Sequence, residues 1–339
     1  MRTATTCARI KTISVESVAA YVVTPSYFGA VADVTGLARV AHEAGVPLVV
    51  DEAWGPHFGF HPEVPANALS QGADVVISST HKLAGSLSQS AMLHLGDGPF
   101  AQTLELLLDR AFKSLQSTSP NSLLIASLDI ARMTLAVHGD EYIGNTLASM
   151  KDLREEISHT NRFIDIGPQL LQHEDVVALE PLRIAINTSV GEISGYSARA
   201  HLYDEYRIHC ELATGSVLLM LCGAGVRPDV TAIASALNAL PRETQTGSEA
   251  LDLPAPGKTR MTVRDAYVGL TDVVSAREAV GRVSAEGVAA YPPGIPNLLP
   301  GEEISAEVIE FLQATVNAPY GHVRGGASPD MSAFRVVRE

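Results

Sequence analysis

Between residues 19 and 95, short apolar runs recur with enough chain between them for a helix or a loop, and this rhythm constrains the fold more than any other feature. Pro47-Leu48-Val49-Val50 is apolar without alternation, the pattern of a parallel strand covered on both faces. Ala19-Ala20-Tyr21-Val22-Val23 is a similar run closed by the turn signal Thr24-Pro25-Ser26. Asp74–Ser78 and Ala91–Leu95 are two more. Leu37, Val40, Ala41 and Ala44 fall at i, i+3, i+4, i+7 with Gly45 as a stop, which predicts an amphipathic helix. Strands separated by helical spacers predict an α/β fold with a mostly parallel sheet and helices on its faces.

From Pro99 to about Ser158 the chain turns helical, with breaks expected near Ser117–Pro120 and at Gly139. Leu182–Ile186, Arg207–Leu212 and Ser216–Leu221 then read as strands, and Ser197–Tyr206 and Asp229–Leu240 as helices. Pro241–Thr259 is polar and rich in Pro and Gly, so a linker is placed there. A compact segment follows from about Arg260. The length of 339 residues suits two or three domains.

Composition narrows the function classes. At 46% hydrophobic and 18% charged residues, the chain is neither disordered nor fibrous. Lys and Arg total 24 against 38 Asp and Glu, a net charge of −14, which argues against nucleic-acid binding built on phosphate neutralisation. Cys7, Cys210 and Cys222 form no CxxC pair and no zinc spacing, which favours a reducing compartment. No uninterrupted apolar run reaches membrane length, and the N-terminus lacks the apolar core of a signal peptide. A cytoplasmic protein with no membrane partner is expected.

Ligand sites of open α/β sheets form at the carboxyl ends of the strands. Asp51 lies just past one strand end and Lys82 just past the next. A carboxylate and a lysine so placed suit pyridoxal phosphate (PLP): the amine condenses with the aldehyde, and the acid keeps the pyridine nitrogen protonated so that the ring can accept a carbanion's electrons. The tetrapeptide ending Asp51-Glu52 also matches the metal-holding strand of P-loop ATPases, but no GxxxxGK[ST] occurs in the chain.

DEA at 51–53, STHK at 79–82 and QSAML at 89–93, followed by SLQSTSPNSLLIASLDIAR at 114–132 and YPPGIP…PGE at 291–302, resemble in this order the bacterial Orn/Lys/Arg decarboxylases. These are PLP enzymes of the aspartate-aminotransferase fold (fold type I), and the resemblance runs from about Val18 to the end. It is nearest to the shorter members, which lack an N-terminal wing. It implies a PLP-binding large domain at 1–140, N-terminally incomplete, a small α+β domain at 141–250 and a C-terminal α+β domain at 251–339. It implies further that Lys82 forms the internal Schiff base, Asp51 salt-bridges the pyridinium nitrogen, Ala53 packs on a ring face, and Ser79 and His81 contact the phosphate. Trp54 stands near the ring's 3′ oxygen where the family more often has His. Gln116–Ser119 resembles a segment that approaches the partner subunit's site.

The activity so implied is decarboxylation of a small basic amino acid, lysine, ornithine or arginine, to its amine, by a homodimer or dimer of dimers. The family's Gly/Ser/Thr phosphate loop and its aromatic residue on the second ring face have no counterpart here, and Met1–Glu16 resembles nothing in the family. An incomplete, inactive polypeptide, a subunit needing a complementing chain, and another fold-type-I reaction such as amino transfer are the alternatives. An incomplete sheet is also expected to expose an apolar face.

The remaining signals read blandly. His57 and His61 are spaced i, i+4, but their Gly/Pro-rich surroundings predict a loop and no metal. Glu211 reads as an ordinary strand residue, Cys210 and Cys222 as small core residues, and Tyr291–Pro296 and Gly325-Gly326 as turns.

Overall fold

The computed structural model describes residues 13, 17–243, 253–291, 294–318 and 321–338. Its contacts divide the chain into two compact units, Met1–Gln245 and Thr246–Glu339.

The first unit opens with β1 (Ala20–Val23), β2 (Ala30–Ala32), α1 (Val34–Glu43), β3 (Leu48–Asp51), β4 (Val75–Ser78), the single turn α2 (Thr80–Leu83) and β5 (Met92–Leu95). Four of these strands form a sheet in the order β1-β3-β4-β5. The first three run parallel and β5 is antiparallel, so the expected mostly parallel α/β sheet is present. Helix α1 starts where the Asp33 carboxylate accepts the Gly36 N–H, satisfying one of the four orphan donors at a helix start. It buries Val34, Ala38 and Ala41 against Ala20, Leu48, Val50 and Val76 of the sheet.

Because side chains alternate along a strand, the register puts Tyr21, Val23, Asp51, Ile77, Leu93 and Leu95 on the opposite face. Tyr21 and Val23 there are more than half exposed, and Ile77, Leu93 and Leu95 are also exposed. The apolar face foreseen as uncovered is thus partly open, although Val75 on it is buried, and it is the face that carries Asp51.

Next come α3 (Ala101–Leu115), α4 (Ser122–His159), β6 (Ile164–Asp165), α5 (Gly167–Leu170), β7 (Val176–Leu179), β8 (Arg183–Asn187), α6 (Gly195–Tyr206), β9 (Leu212–Ala213), β10 (Val217–Leu221) and α7 (Val230–Ala239). A second sheet runs β6-β8-β10-β9, and β2 pairs with β7. Its core gathers Ile184, Ile186, Leu218 and Met220 against Leu153 and Ile157 of α4, Leu202 of α6 and Leu237 of α7.

Two expectations fail here. Gly139 does not break the helical region: α4 runs through it for 38 residues. A Cβ at Gly139 would lie 2.6 Å from the Phe60 carbonyl oxygen, so the glycine serves a close approach of the 52–69 loop rather than a stop. Residues 207–212 are not a strand. Arg207 is a left-handed cap that ends α6, and only Leu212–Ala213 enter the sheet. The apolar pattern alone could not show that cap. Gly139→Ala is therefore expected to destabilise: the roughly 1 kcal/mol gained in helix propensity is outweighed by about 1–3 kcal/mol of overpacking against a backbone atom. A lower urea midpoint at unchanged m-value would show it.

Helix α4 also qualifies the reading of the chain as lacking a membrane-length segment, since by length and composition alone it could cross a bilayer. The uninterrupted-run criterion missed it because Asp129 and Arg132 interrupt the apolar stretch. Its C-terminal half packs into the protein through Ile143, Leu147, Met150, Leu153 and Ile157.

The second unit contains α8 (Val263–Val268), β11 (Thr271–Ser275), α9 (Ala276–Ala279), β12 (Val288–Tyr291), β13 (Pro296–Leu298), α10 (Ala306–Asn317), β14 (His322–Arg324) and β15 (Ala333–Val337). β11 pairs with β15, and β13-β12-β14 form a separate antiparallel sheet. Val288, Leu298, Val308, Leu312 and Phe334 centre its core. Gly325 and Gly326 take positive φ after β14, as a turn requires. Cys7, much of the 241–259 linker and Pro292-Pro293 lie outside the described residues.

Candidate active site

Asp51 ends β3. One carboxylate oxygen accepts the Ala53 N–H at 3.0 Å, and the other accepts the Tyr21 hydroxyl at 2.9 Å. Burial, and secondarily this bond to Asp51, push the Tyr21 phenol up to about 12. Ala53 and Trp54 follow in the turn after β3, and Ser79 caps α2 without engaging a backbone N–H through its side chain. Within α2, His81 places Nδ1 2.6 Å from the Ser90 carbonyl. Its Nδ1–H therefore donates, which leaves Nε2 as the second ring nitrogen.

The Lys82 ammonium sits 3.9 Å from the centroid of the Trp54 ring. Burial draws its pKa below the ordinary value; Asp51 opposes this, the Arg183 charge reinforces it and Glu211 opposes it. A half-buried lysine so placed stands closer to its neutral, nucleophilic form than one in water. Asp51 and Lys82 thus come together across adjacent strand ends, with Trp54 against the amine.

Sequence reasoning missed the rest of this cluster. The Arg183 guanidinium lies 4.5 Å from the Trp54 ring and donates to the Ser26 carbonyl at 3.0 Å and the Tyr27 carbonyl at 2.5 Å. Tyr27 meets the Trp54 ring edge-on, with centroids 5.2 Å apart, and its hydroxyl donates to Glu211 at 2.5 Å. Glu211 is therefore not the ordinary strand residue its sequence suggests. It precedes β9 and contributes to the charge around Lys82 and Arg183.

Behind Arg183, the fully buried Glu180 accepts the Arg183 Nε–H at 3.0 Å, His57 Nε2–H at 3.0 Å and the Leu182 N–H at 2.8 Å. Burial pushes the Glu180 carboxyl up, but the His57 and Arg183 contacts outweigh it and hold the acid below its usual range. His57 is thereby a buried partner of Glu180. The partners in this cluster are separated by up to 184 residues, and no local pattern announces them.

The sequence family described as Orn/Lys/Arg decarboxylase, major domain, matches residues 2–206, and the Orn/Lys/Arg decarboxylase C-terminal domain matches residues 252–319. The chain belongs to this family. The match begins at residue 2, which corrects the expectation that Met1–Glu16 resembles nothing in it. An arginine decarboxylase of Bacillus subtilis is 32% identical over 325 residues, covering 94% of this chain and 65% of that protein. A constitutive lysine decarboxylase of Escherichia coli is 25% identical, over 77% of this chain and 49% of that one. The chain therefore spans about two thirds or less of the length of these relatives. Among solved structures, lysine decarboxylase A from Pseudomonas aeruginosa superposes with a TM-score of 0.74 at 21% identity, covering 94% of this chain and 57% of that one. This likeness is one of fold.

The residues present fit pyridoxal phosphate on one observation of the structure itself. Although Asp51 and Glu211 lie within Coulombic range of Lys82, its amine forms no ion pair among the described residues and rests on an indole face. Among the described residues no carboxylate pairs with the amine as it would with a structural cation.

Proposed function

We propose that this chain carries the cofactor half-site of a PLP-dependent decarboxylase acting on a basic amino acid: arginine, lysine or ornithine. The observation that carries this reading is the convergence of Asp51 and an unpaired, half-buried Lys82 on neighbouring strand ends. Lys82 would hold the cofactor aldehyde, Asp51 its ring nitrogen, Ala53 one ring face, and Ser79 and His81 the phosphate, with Trp54 beside the ring. When bound, the cofactor supplies an electron sink for the carbanion left at Cα. Asp51 would keep the proton at the ring nitrogen, the Trp54 indole would shield the amine from water, and Lys82 would return a proton to Cα.

Residues 1–140, 141–250 and 251–339 are proposed as large, small and C-terminal domains; the division of the chain's contacts after Gln245 supports the second boundary. Leu106, Leu107, Phe112 and Leu115 of α3, with Leu123, Ile125, Ile130 and Val137 of α4, are exposed. An apolar surface of this kind supports pairing with a second copy, in a cytoplasmic dimer or dimer of dimers.

The test is release of carbon dioxide from each of the three amino acids with added PLP. Asp51→Asn is expected to keep the cofactor's absorbance band while lowering the rate on the order of a hundredfold or more, as for a group that stabilises charge developing in the transition state. A band with keto-acid product instead of carbon dioxide would assign amino transfer. A second reading, a subunit completed by another polypeptide, is favoured by the open apolar sheet face around Asp51. It predicts cofactor uptake only when the complementing chain is added.

A further inference from the structure

On the face of the first sheet turned away from Asp51, a cavity of about 220 Å³ is bounded by the 52–69 loop, the β4 and β5 side chains Val76, Ser78, Met92 and His94, and Arg132 and Leu135 of α4. We propose that this cavity binds a short aliphatic ammonium ion, with the Glu52 carboxylate as counter-ion and Phe58, Phe60 and Leu135 enclosing the alkyl chain.

Glu52 is 5% exposed. One of its carboxylate oxygens accepts the Ala68 N–H at 2.9 Å, and among the described residues the carboxylate makes no other hydrogen bond. A buried carboxyl without a cationic partner is an unmet demand, and burial accordingly lifts it to about 8, against the small opposing effect of the Ala68 N–H. An arriving ammonium would displace that proton and leave an ion pair inside apolar walls. A second unmet group lines the same space: the Thr80 hydroxyl is buried and has no partner among the described residues, so it can accept from a second ammonium N–H.

The other titratable groups of the wall do not compete. The β5 residue His94 places Nε2 3.0 Å from the Ser78 hydroxyl, and burial lowers its pKa, which disfavours a charged ring. Arg132 spends its guanidinium on Asp129 of its own helix, at 2.7 and 3.0 Å, with its side chain more than half exposed.

The chemistry of the wall selects the ligand class. An anion would meet Glu52 and a net charge of −14. A metal ion would find one carboxylate and no cluster of three ligating groups among the described residues. The volume suits a chain of a few carbons, since an apolar cavity of about 150 Å³ already admits benzene. Phe58 and Phe60 offer ring faces of the kind that attract ammonium groups.

Calorimetric titration of the full chain with n-butylammonium and with n-butanol, its uncharged counterpart, tests the proposal. Butylammonium is expected to bind at least roughly tenfold more tightly than butanol, and to release a proton near neutral pH, seen as a dependence of heat on buffer ionisation enthalpy. Glu52→Gln keeps an acceptor for Ala68 and is expected to erase that preference. Met92→Trp, which fills the cavity from another wall, is expected to abolish binding of both, while Lys82→Ala leaves binding unchanged because that amine lies at the other site. Equal affinity for the two probes, no binding of either, or binding unaffected by Glu52→Gln or Met92→Trp would overturn it. Loss of binding in Lys82→Ala would overturn it too, by assigning the amine to the Asp51 site. Should Glu52→Gln fail to fold, the comparison of probes in the unaltered chain and in Met92→Trp decides.

Discussion

Lys82→Ala is expected to abolish both the absorbance band near the visible edge that added PLP produces and the release of carbon dioxide, taking turnover to the uncatalysed background. The methyl group left behind has no nucleophile to capture an aldehyde, and among the described residues the next lysine in the chain is Lys113, in the exposed helix α3. The same substitution should leave thermal stability unchanged or slightly higher. The Lys82 ammonium makes no ion pair among the described residues, and burial disfavours its charge, so its removal relieves a desolvation cost that offsets the lost contact with the Trp54 ring. Loss of function at undiminished melting temperature separates a chemical role from a structural one. A variant that melts earlier and still takes up the cofactor would contradict the proposed role.

Glu180→Ala should have the largest effect on folding. Glu180 is the acceptor for Arg183, His57 and the Leu182 N–H, with the Glu180 and Arg183 side chains almost completely buried. Truncation leaves a guanidinium in a low-dielectric interior without its counter-ion, a class of change that costs about 3–5 kcal/mol. Glu180→Gln, which keeps acceptor and volume but loses the charge, should fall between the two. Urea denaturation measures the loss. Because Arg183 lies against Trp54, the chain's sole tryptophan, fluorescence reports whether the damage reaches the site. Near-wild-type stability in Glu180→Ala would show that Arg183 finds water or another partner when its carboxylate is removed.

The parts of the fold that were legible are those written in local pattern. Leu37 to Ala44 repeat at helical spacing and do form α1 against the sheet, and the unalternating Leu48–Val50 run does form a central strand, paired on both sides. The positions of Asp51 and Lys82 just beyond two strand ends followed from the same pattern, because a strand's carboxyl end is visible as the last residue of an apolar run. Gly139 was misread because glycine in a helical stretch signals a stop and a tight contact equally well, and only the approach of the Phe60 carbonyl distinguishes them. Arg207–Leu212 was misread because a left-handed cap on a non-glycine residue carries no compositional signature. The short pairing of β2 with β7 had no signal at all: it joins three residues near position 31 to four near 177.

What the sequence by itself determined is therefore the alternation that builds a parallel sheet, the acid and the amine at its carboxyl edge, and the family whose motifs those residues compose. What only the tertiary structure decided is the setting of that pair: the Tyr21 hydroxyl on Asp51, the indole beneath Lys82, and the buried Glu180–Arg183–His57 network. The physical reason is range. A strand end depends on residues a few positions apart, whereas desolvation and buried charge pairing depend on which distant segments exclude water together.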